Sequence, residues 1–212
     1  MRWILAMVGI VLVVVSGCAG PMSRSTVVLN VYDSRGKPLS WAEFRAVQSN
    51  GAGEEGHNDA LLDPDSLVIV EPWPLFESGG SPALEHPDHA VLLALAWPSS
   101  YGYSQLILPV PDPGTHNFNV LAAEAAVESL STLRAEHAGM APSPDAERAT
   151  VTAARAIHAA RATKDEASAA VAADRAYDAA VEASLLLLQE YGHRRAGALT
   201  RGVTLDRRPS RG

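Results

Sequence analysis

The chain has 212 residues, 47% of them apolar and 19% charged, with a formal net charge of −7. That is the composition of a globular protein of one or two domains, and it excludes an intrinsically disordered chain. The single Cys excludes a disulfide framework and every thiolate metal cluster that needs two or more Cys.

Residues 1–17 carry one charge, Arg2, then thirteen apolar residues from Trp3 to Val15, then Ser16-Gly17 directly before Cys18. Charged, apolar and small-residue zones in that order are the pattern of an export signal. As a helix the apolar stretch would span about 20 Å, short of the about 30 Å of a bilayer core, so it is not expected to remain as a membrane span. Val15-Ser16-Gly17-Cys18 resembles the lipobox of bacterial lipoproteins, with Val where Leu is commoner. The resemblance implies cleavage before Cys18 and acylation of its thiol, the acyl chains contributing about 0.8 kcal/mol per buried CH₂ to membrane anchorage. In lipoproteins of double-membraned bacteria an Asp after the Cys usually retains the protein in the inner membrane. Ala19 and Gly20 stand here, so the resemblance implies a lipid-anchored envelope protein on the periplasmic side of the outer membrane. Loss of residues 1–17 removes one Arg and takes the net charge from −7 to −8. With that charge and an exported location, nucleic acid is not an expected partner.

Residues 18–24 read as a short tether, and residues 25–118 as a β domain. From Ser25 to Asp33, Val27, Leu29 and Val31 alternate with Val28, Asn30 and Tyr32, and Asp33-Ser34-Arg35-Gly36-Lys37-Pro38 follows as a turn. Ala42 to Val47, Ser66 to Val70, Ala90 to Trp97, Ser104 to Leu108 and His116 to Val120 are the further expected strands. The Gly/Pro-rich stretches from Asn50 to His57 and from Trp73 to Asp88 read as exposed loops. Short strands at this spacing predict an antiparallel sandwich. The run Val31-Tyr32-Asp33-Ser34-Arg35-Gly36-Lys37-Pro38-Leu39, followed by Ala-x-Phe, resembles the start of transthyretin-like and carboxypeptidase-regulatory-like domains.

Residues 119–193 are rich in Ala and hold only two Pro, Pro142 and Pro144, and they read as a helical domain. Ala123, Val127, Leu130 and Leu133 share one stripe of a helix expected over Val120 to Ala138, stopping at Gly139. Ser143-Pro144 restarts a helix with a cap and Pro at its first position. From there to Tyr191 no Gly or Pro intervenes, a rod of about 70 Å if unbroken. Thr163-Lys164-Asp165-Glu166 has the form of a capping box and offers a break, so three helices are favoured over a hairpin of two. On the last helix Ala167, Val171, Asp174, Val181, Leu185 and Leu188 form the expected seam. Leu185 to Leu188 cannot all fit one stripe, so this turn is expected to be covered on a second side by the β domain or by another copy of the chain. Residues 194–212, with six Arg against one Asp, read as a disordered basic tail. The order of a β domain and Ala-rich helices also resembles the region ahead of the catalytic barrel in some family 10 xylanase-like proteins, although no barrel is present and no catalytic residue carries over.

No phosphate loop, nucleophile elbow or zinc-protease helix is present. Glu85, His86, Asp88 and His89 put metal-ligand side chains into five residues, with a solvated turn as the competing reading. Asp59, Asp63 and Asp65 could similarly form a calcium loop, but Asp-Pro-Asp-Ser is a common turn and the Gly and terminal Glu of the hand motif are lacking. Trp73, Trp97, Tyr101 and Tyr103 could stack on sugar rings if exposed together, the competing reading being core packing. The expected whole is an α+β protein: an N-terminal antiparallel β-sandwich followed by an Ala-rich helical hairpin or three-helix segment. Its expected role is that of a non-catalytic envelope lipoprotein, bound to the membrane through Cys18, without a cofactor, with an envelope protein or a glycan as partner. A carbohydrate-binding accessory module and a metal-dependent enzyme using the Glu85–His89 loop are the alternatives.

Overall fold

Alternation along the first strand places Val27, Leu29 and Val31 in the interior, each at most 2% exposed, and strand β1 (Thr26–Asn30) forms as expected. The computed structural model describes residues 25–52 and 58–200. The expected export signal, Cys18 with its expected tether to residue 24, residues 53–57 and the expected tail from Arg201 onward lie outside the described residues. After β1, the turn at Asp33 is closed by its own carboxylate, whose Oδ1 accepts the Arg35 and Lys37 amides at 2.9 and 2.8 Å. Gly36 is required there twice over, by its φ of +83° and by Ala167, which a Cβ would approach to 3.2 Å.

The expected strand from Ala42 to Val47 is instead the helix α1 (Trp41–Ala52). Ser40 and Glu43 form a reciprocal capping box: Ser40 N donates to Glu43 Oε2 at 2.8 Å, and Glu43 N to Ser40 Oγ at 3.3 Å. Phe44 and Gln48, four apart, are fully buried on the inner face, a helical spacing that overrides the two-residue alternation. The helix also takes in the first residues of the loop expected from Asn50.

Strands β2 (Ala60–Leu62), β3 (Ile69–Pro72), β4 (Phe76–Ser78), β5 (Ser81–Glu85), β6 (Leu92–Ser99), β7 (Gly102–Pro109) and β8 (Gly114–Asn117) follow. The stretch expected as a loop from Trp73 to Asp88 thus contains a hairpin. Its two-residue turn is Gly79-Gly80, with φ of +61° and +89°, the twist that a tight hairpin needs. The strands form two four-stranded sheets, in the orders β4-β5-β1-β8 and β3-β2-β6-β7. All pairings are antiparallel except β1 with β8, which is parallel, correcting the all-antiparallel expectation.

Asn117 ends β8 and caps α2 (Phe118–Glu136), its Oδ1 accepting Val120 N. Helix α3 (Pro144–Ala162) starts at the Ser143 cap with Pro at its first position, as expected. The break falls at Thr163, so α4 (Glu166–Thr200) is a third helix of this block. Its cap is Asp165, whose carboxylate accepts Ser168 N at 2.8 Å, rather than the Thr163–Glu166 box. Helix α4 continues through Thr200, so the first part of the expected disordered tail, from Arg194, is helical.

The seam of α4 also differs from expectation. Its buried residues are Ala169, Ala170, Ala173, Ala176, Tyr177, Ala179, Ala180, Ala183 and Leu187, while Leu185 and Leu188 are 40% and 49% exposed. Methyl-sized side chains let α3 and α4 approach closely along their lengths, which turns the larger Leu residues outward. Leu187→Ala should therefore cost about 2–5 kcal/mol, whereas replacing Leu185 and Leu188 together should cost less than about 1 kcal/mol. Urea unfolding of the two variants checks this, and a larger loss for the exposed pair would refute the seam. The protein is thus a mixed α/β chain. Its main core takes Val27, Leu29 and Leu84 from one sheet, Leu93, Leu95 and Leu108 from the other, and Phe44 and Phe118 from the helices.

Candidate functional site

The aromatic centre of this core opens at one side into a cleft of about 400 Å³. The loop after β1 supplies Tyr32, Asp33, Ser34 and Leu39, the β6–β7 hairpin supplies Trp97 to Ser100, and α4 supplies Asp174, Tyr177 and Asp178. Trp97 forms the floor, 5% exposed, edge-on to Phe118 with ring centroids 4.7 Å apart.

Asn119, 1% exposed, locks the loop after β1 to α4. Its Oδ1 accepts Tyr32 N at 3.0 Å, and its Nδ2 donates to Tyr32 O at 3.0 Å and to Asp174 Oδ1 at 2.7 Å. Tyr32 in turn donates its hydroxyl to Glu166 Oε2 at 2.6 Å, and Asn30 Nδ2 donates to the same oxygen at 3.0 Å. Burial, and then the Glu166 carboxylate, push the Tyr32 hydroxyl up to about 12. The same hydrogen bonds, Tyr32 first and Asn30 second, hold Glu166 below its ordinary value. One turn of α4 apart stand two carboxylates. Asp178 accepts Ser100 N at 2.9 Å and the Ser100 hydroxyl. Asp174 is pushed up to about 6 by burial, which outweighs the Asn119 hydrogen bond, with Asp178 and Asp33 adding smaller repulsions. Burial also raises Tyr177, whose hydroxyl lies 2.6 Å from Ser104 Oγ.

Among the described residues no Lys, Arg or His lines this cleft. Its walls are aromatic and its charged groups are carboxylates, an arrangement that accepts hydrogen bonds from hydroxyl or ammonium groups. The buried charge has a stability signature. In the unfolded chain Asp174 ionises near 3.8 and in the fold near 6, so the folded state binds the extra proton between these values and loses stability as pH rises through them. Asp174→Asn should therefore be neutral below pH 4 and stabilising by on the order of 1–3 kcal/mol above pH 7. Chemical denaturation at pH 4 and 7.5 measures it, and an equal effect at both would refute the assignment.

Of the aromatic residues singled out from the sequence, only Trp97 lines this cleft, and it is a core residue rather than part of an exposed platform. Trp73, Tyr101 and Tyr103 are 60%, 52% and 42% exposed. Trp73 borders a separate cleft beside Leu67, Ile69 and Ile107, while Tyr101 and Tyr103 sit on the β6–β7 hairpin, where the Tyr103 hydroxyl donates to Val47 O at 3.1 Å. Glu85 ends β5 and His86, Asp88 and His89 follow it in the loop. Among the described residues no group of three or more His, Cys, Asp or Glu is placed to hold a metal ion. Asp59 is a buried partner of Arg45 at 2.9 Å, whereas Asp63 closes a turn by accepting Asp65 N and the Ser66 amide and hydroxyl. The carboxylates of Asp59 and Asp63, two of the three Asp residues considered for a calcium loop, are thus committed to separate structural bonds. Tyr32, Asn119 and Tyr177 escaped the sequence reading, although an acid, Asp174, on an otherwise apolar helical seam was a signal. No family model matches this chain, and no curated protein or solved structure matches it significantly.

Proposed function

We propose that the chain is a membrane-anchored envelope lipoprotein with a non-catalytic binding role, its folded body tethered through Cys18. We also read its two sheets as the layers of a sandwich, since both send side chains into one core. The single observation that carries the binding role is the cleft over Trp97, with Asp174 and Asp178 at its edge. The tether is supported by the only Cys of the chain ending a charged, apolar and small-residue series. The cleft's carboxylates, Asp174 and Asp178, favour a second, narrower reading in which the ligand is a glycan whose hydroxyls donate to the acids. The metal-dependent reading of the Glu85–His89 loop has no such support.

Metabolic labelling with a palmitate analogue should mark the wild type and leave Cys18→Ser unmarked, and equal labelling of both would refute the lipid anchor. For the cleft, calorimetric titration with neutral oligosaccharides and with alkylamines should give binding that weakens as pH falls through about 6 and is lost in Asp178→Ala. Absence of binding by both classes, or binding indifferent to Asp178, would refute the role assigned to the cleft.

A further inference from the structure

Leu67, Val68, Ile69 and Val70 are consecutive and 54%, 62%, 58% and 50% exposed. An uninterrupted apolar run turned to solvent does nothing for the core and marks a contact surface. It is presented on a firm support. Asp63 N donates to Val68 O and Leu67 N to Asp63 O, both at 2.9 Å. Leu67 is held at φ +56°, a conformation that non-glycine residues adopt at a cost and that clusters at functional sites.

Strand registers locate this tip. Leu62 pairs with Ile69 on one side and with Leu92 on the other, so the tip lies at the end of its sheet where β6 begins. The loop from His86 to Val91 leads into β6 at that end, and His86 N donates to Ser25 O at 2.7 Å. Asp63 is held below its ordinary value first by Ser66 and, more weakly, by the charge of His89 in that loop. The tip, the loop and Ser25, where the described chain enters β1, therefore share one end of the sheets. The far end is marked by the tip of the β6–β7 hairpin at Tyr101, beyond the eight-residue β6.

Cys18 stands seven residues before Ser25, and at most about 3.6 Å per residue limits that connection to about 25 Å. An acylated Cys18 thus holds this end of the molecule within about 25 Å of the bilayer, while the Tyr101 end lies a further strand length along the sheet. Asp63 and Asp65 flank the tip, which disfavours anionic headgroups and favours zwitterionic ones.

We propose that the Leu67–Val70 tip is a membrane-contact surface that enters the headgroup layer of the zwitterionic bilayer holding Cys18. This rests on the lipoprotein reading, and the test separates the two. The full chain is produced as the acylated protein carrying Val68→Cys, or Tyr101→Cys as the far-end control, each labelled with an environment-sensitive fluorophore. Both are reconstituted in phosphatidylcholine vesicles containing a nitroxide-bearing lipid. An inserted tip would sit about 5–10 Å into the interface, so the Val68 probe should be quenched roughly three-fold or more beyond the Tyr101 probe. Equal quenching in protein that carries the palmitate label at Cys18 overturns this inference alone. A blue shift of the Val68 probe that follows protein concentration and ignores the nitroxide means a second copy covers the tip, and also overturns it. Absence of the palmitate label overturns the lipoprotein reading and this inference together.

Discussion

Asp59→Ala is expected to lower the unfolding free energy by about 3–5 kcal/mol, the range for removing one partner of a buried ion pair. The Asp59 side chain is fully buried and that of Arg45 is 16% exposed, with Nη1 and Oδ1 2.9 Å apart. The second oxygen, Oδ2, accepts the amide of Leu75 at 3.1 Å, and the backbone carbonyl of Asp59 accepts that of Trp73 at 2.9 Å. One residue therefore ties α1, through Arg45, to the crossover from β3 to β4. Asp59→Asn keeps one acceptor oxygen, for Leu75 N or for Arg45, but turns its NH₂ toward the other donor and leaves Arg45 without the Asp59 counter-charge. It should therefore cost less than Asp59→Ala by only one hydrogen bond, about 1 kcal/mol. Guanidinium unfolding of the two variants checks the order, and a cost for Asp59→Ala below about 1 kcal/mol, the scale of an exposed pair, would show that the bridge adds little.

Phe118→Ala should be comparably severe, at about 3–5 kcal/mol. Phe118 is fully buried as the first residue of α2, directly after the Asn117 cap, and its ring meets Trp97 at 4.7 Å and Phe44 at 6.3 Å, both edge-on. It is thus the point where the sheets, α1 and the helical block share one cluster, and its loss leaves a cavity under the floor of the cleft. Unfolding by urea should show the loss. The near-ultraviolet circular dichroism of the folded variant should weaken as Trp97 gains freedom. A stable variant with unchanged aromatic dichroism would mean that the cluster does not hold the junction.

What could be read without the fold is what local rules decide. The alternation around Val27, Leu29 and Val31, the turn at Gly36, the Ser143-Pro144 helix start and the break near Thr163 each depend on residues a few positions apart. The chain obeys them. The Ser40–Glu43 capping box and the Gly79-Gly80 hairpin turn were equally local and legible. They were masked by a strand-like alternation at Ala42 to Val47 and by the Gly and Pro around Trp73 to Asp88.

The proposed export signal and lipobox rest on the sequence by itself, because a short apolar run and one Cys suggest them without any fold. Tertiary structure decided the rest. The pairing of β1 with both β5 and β8 joins segments more than fifty residues apart, and no local pattern encodes such partners. Which face of α4 is buried was decided by close packing against α2 and α3, which favours Ala over the larger Leu185 and Leu188. The cleft is likewise a product of the fold: Tyr32, Asn119 and Asp174 are distant in sequence, and a single buried Asn satisfies the backbone of the first while bonding the carboxylate of the last. Burial there, and not residue type, is what lifts Asp174 to about 6, because desolvation penalises a carboxylate only once the surrounding chain has excluded water.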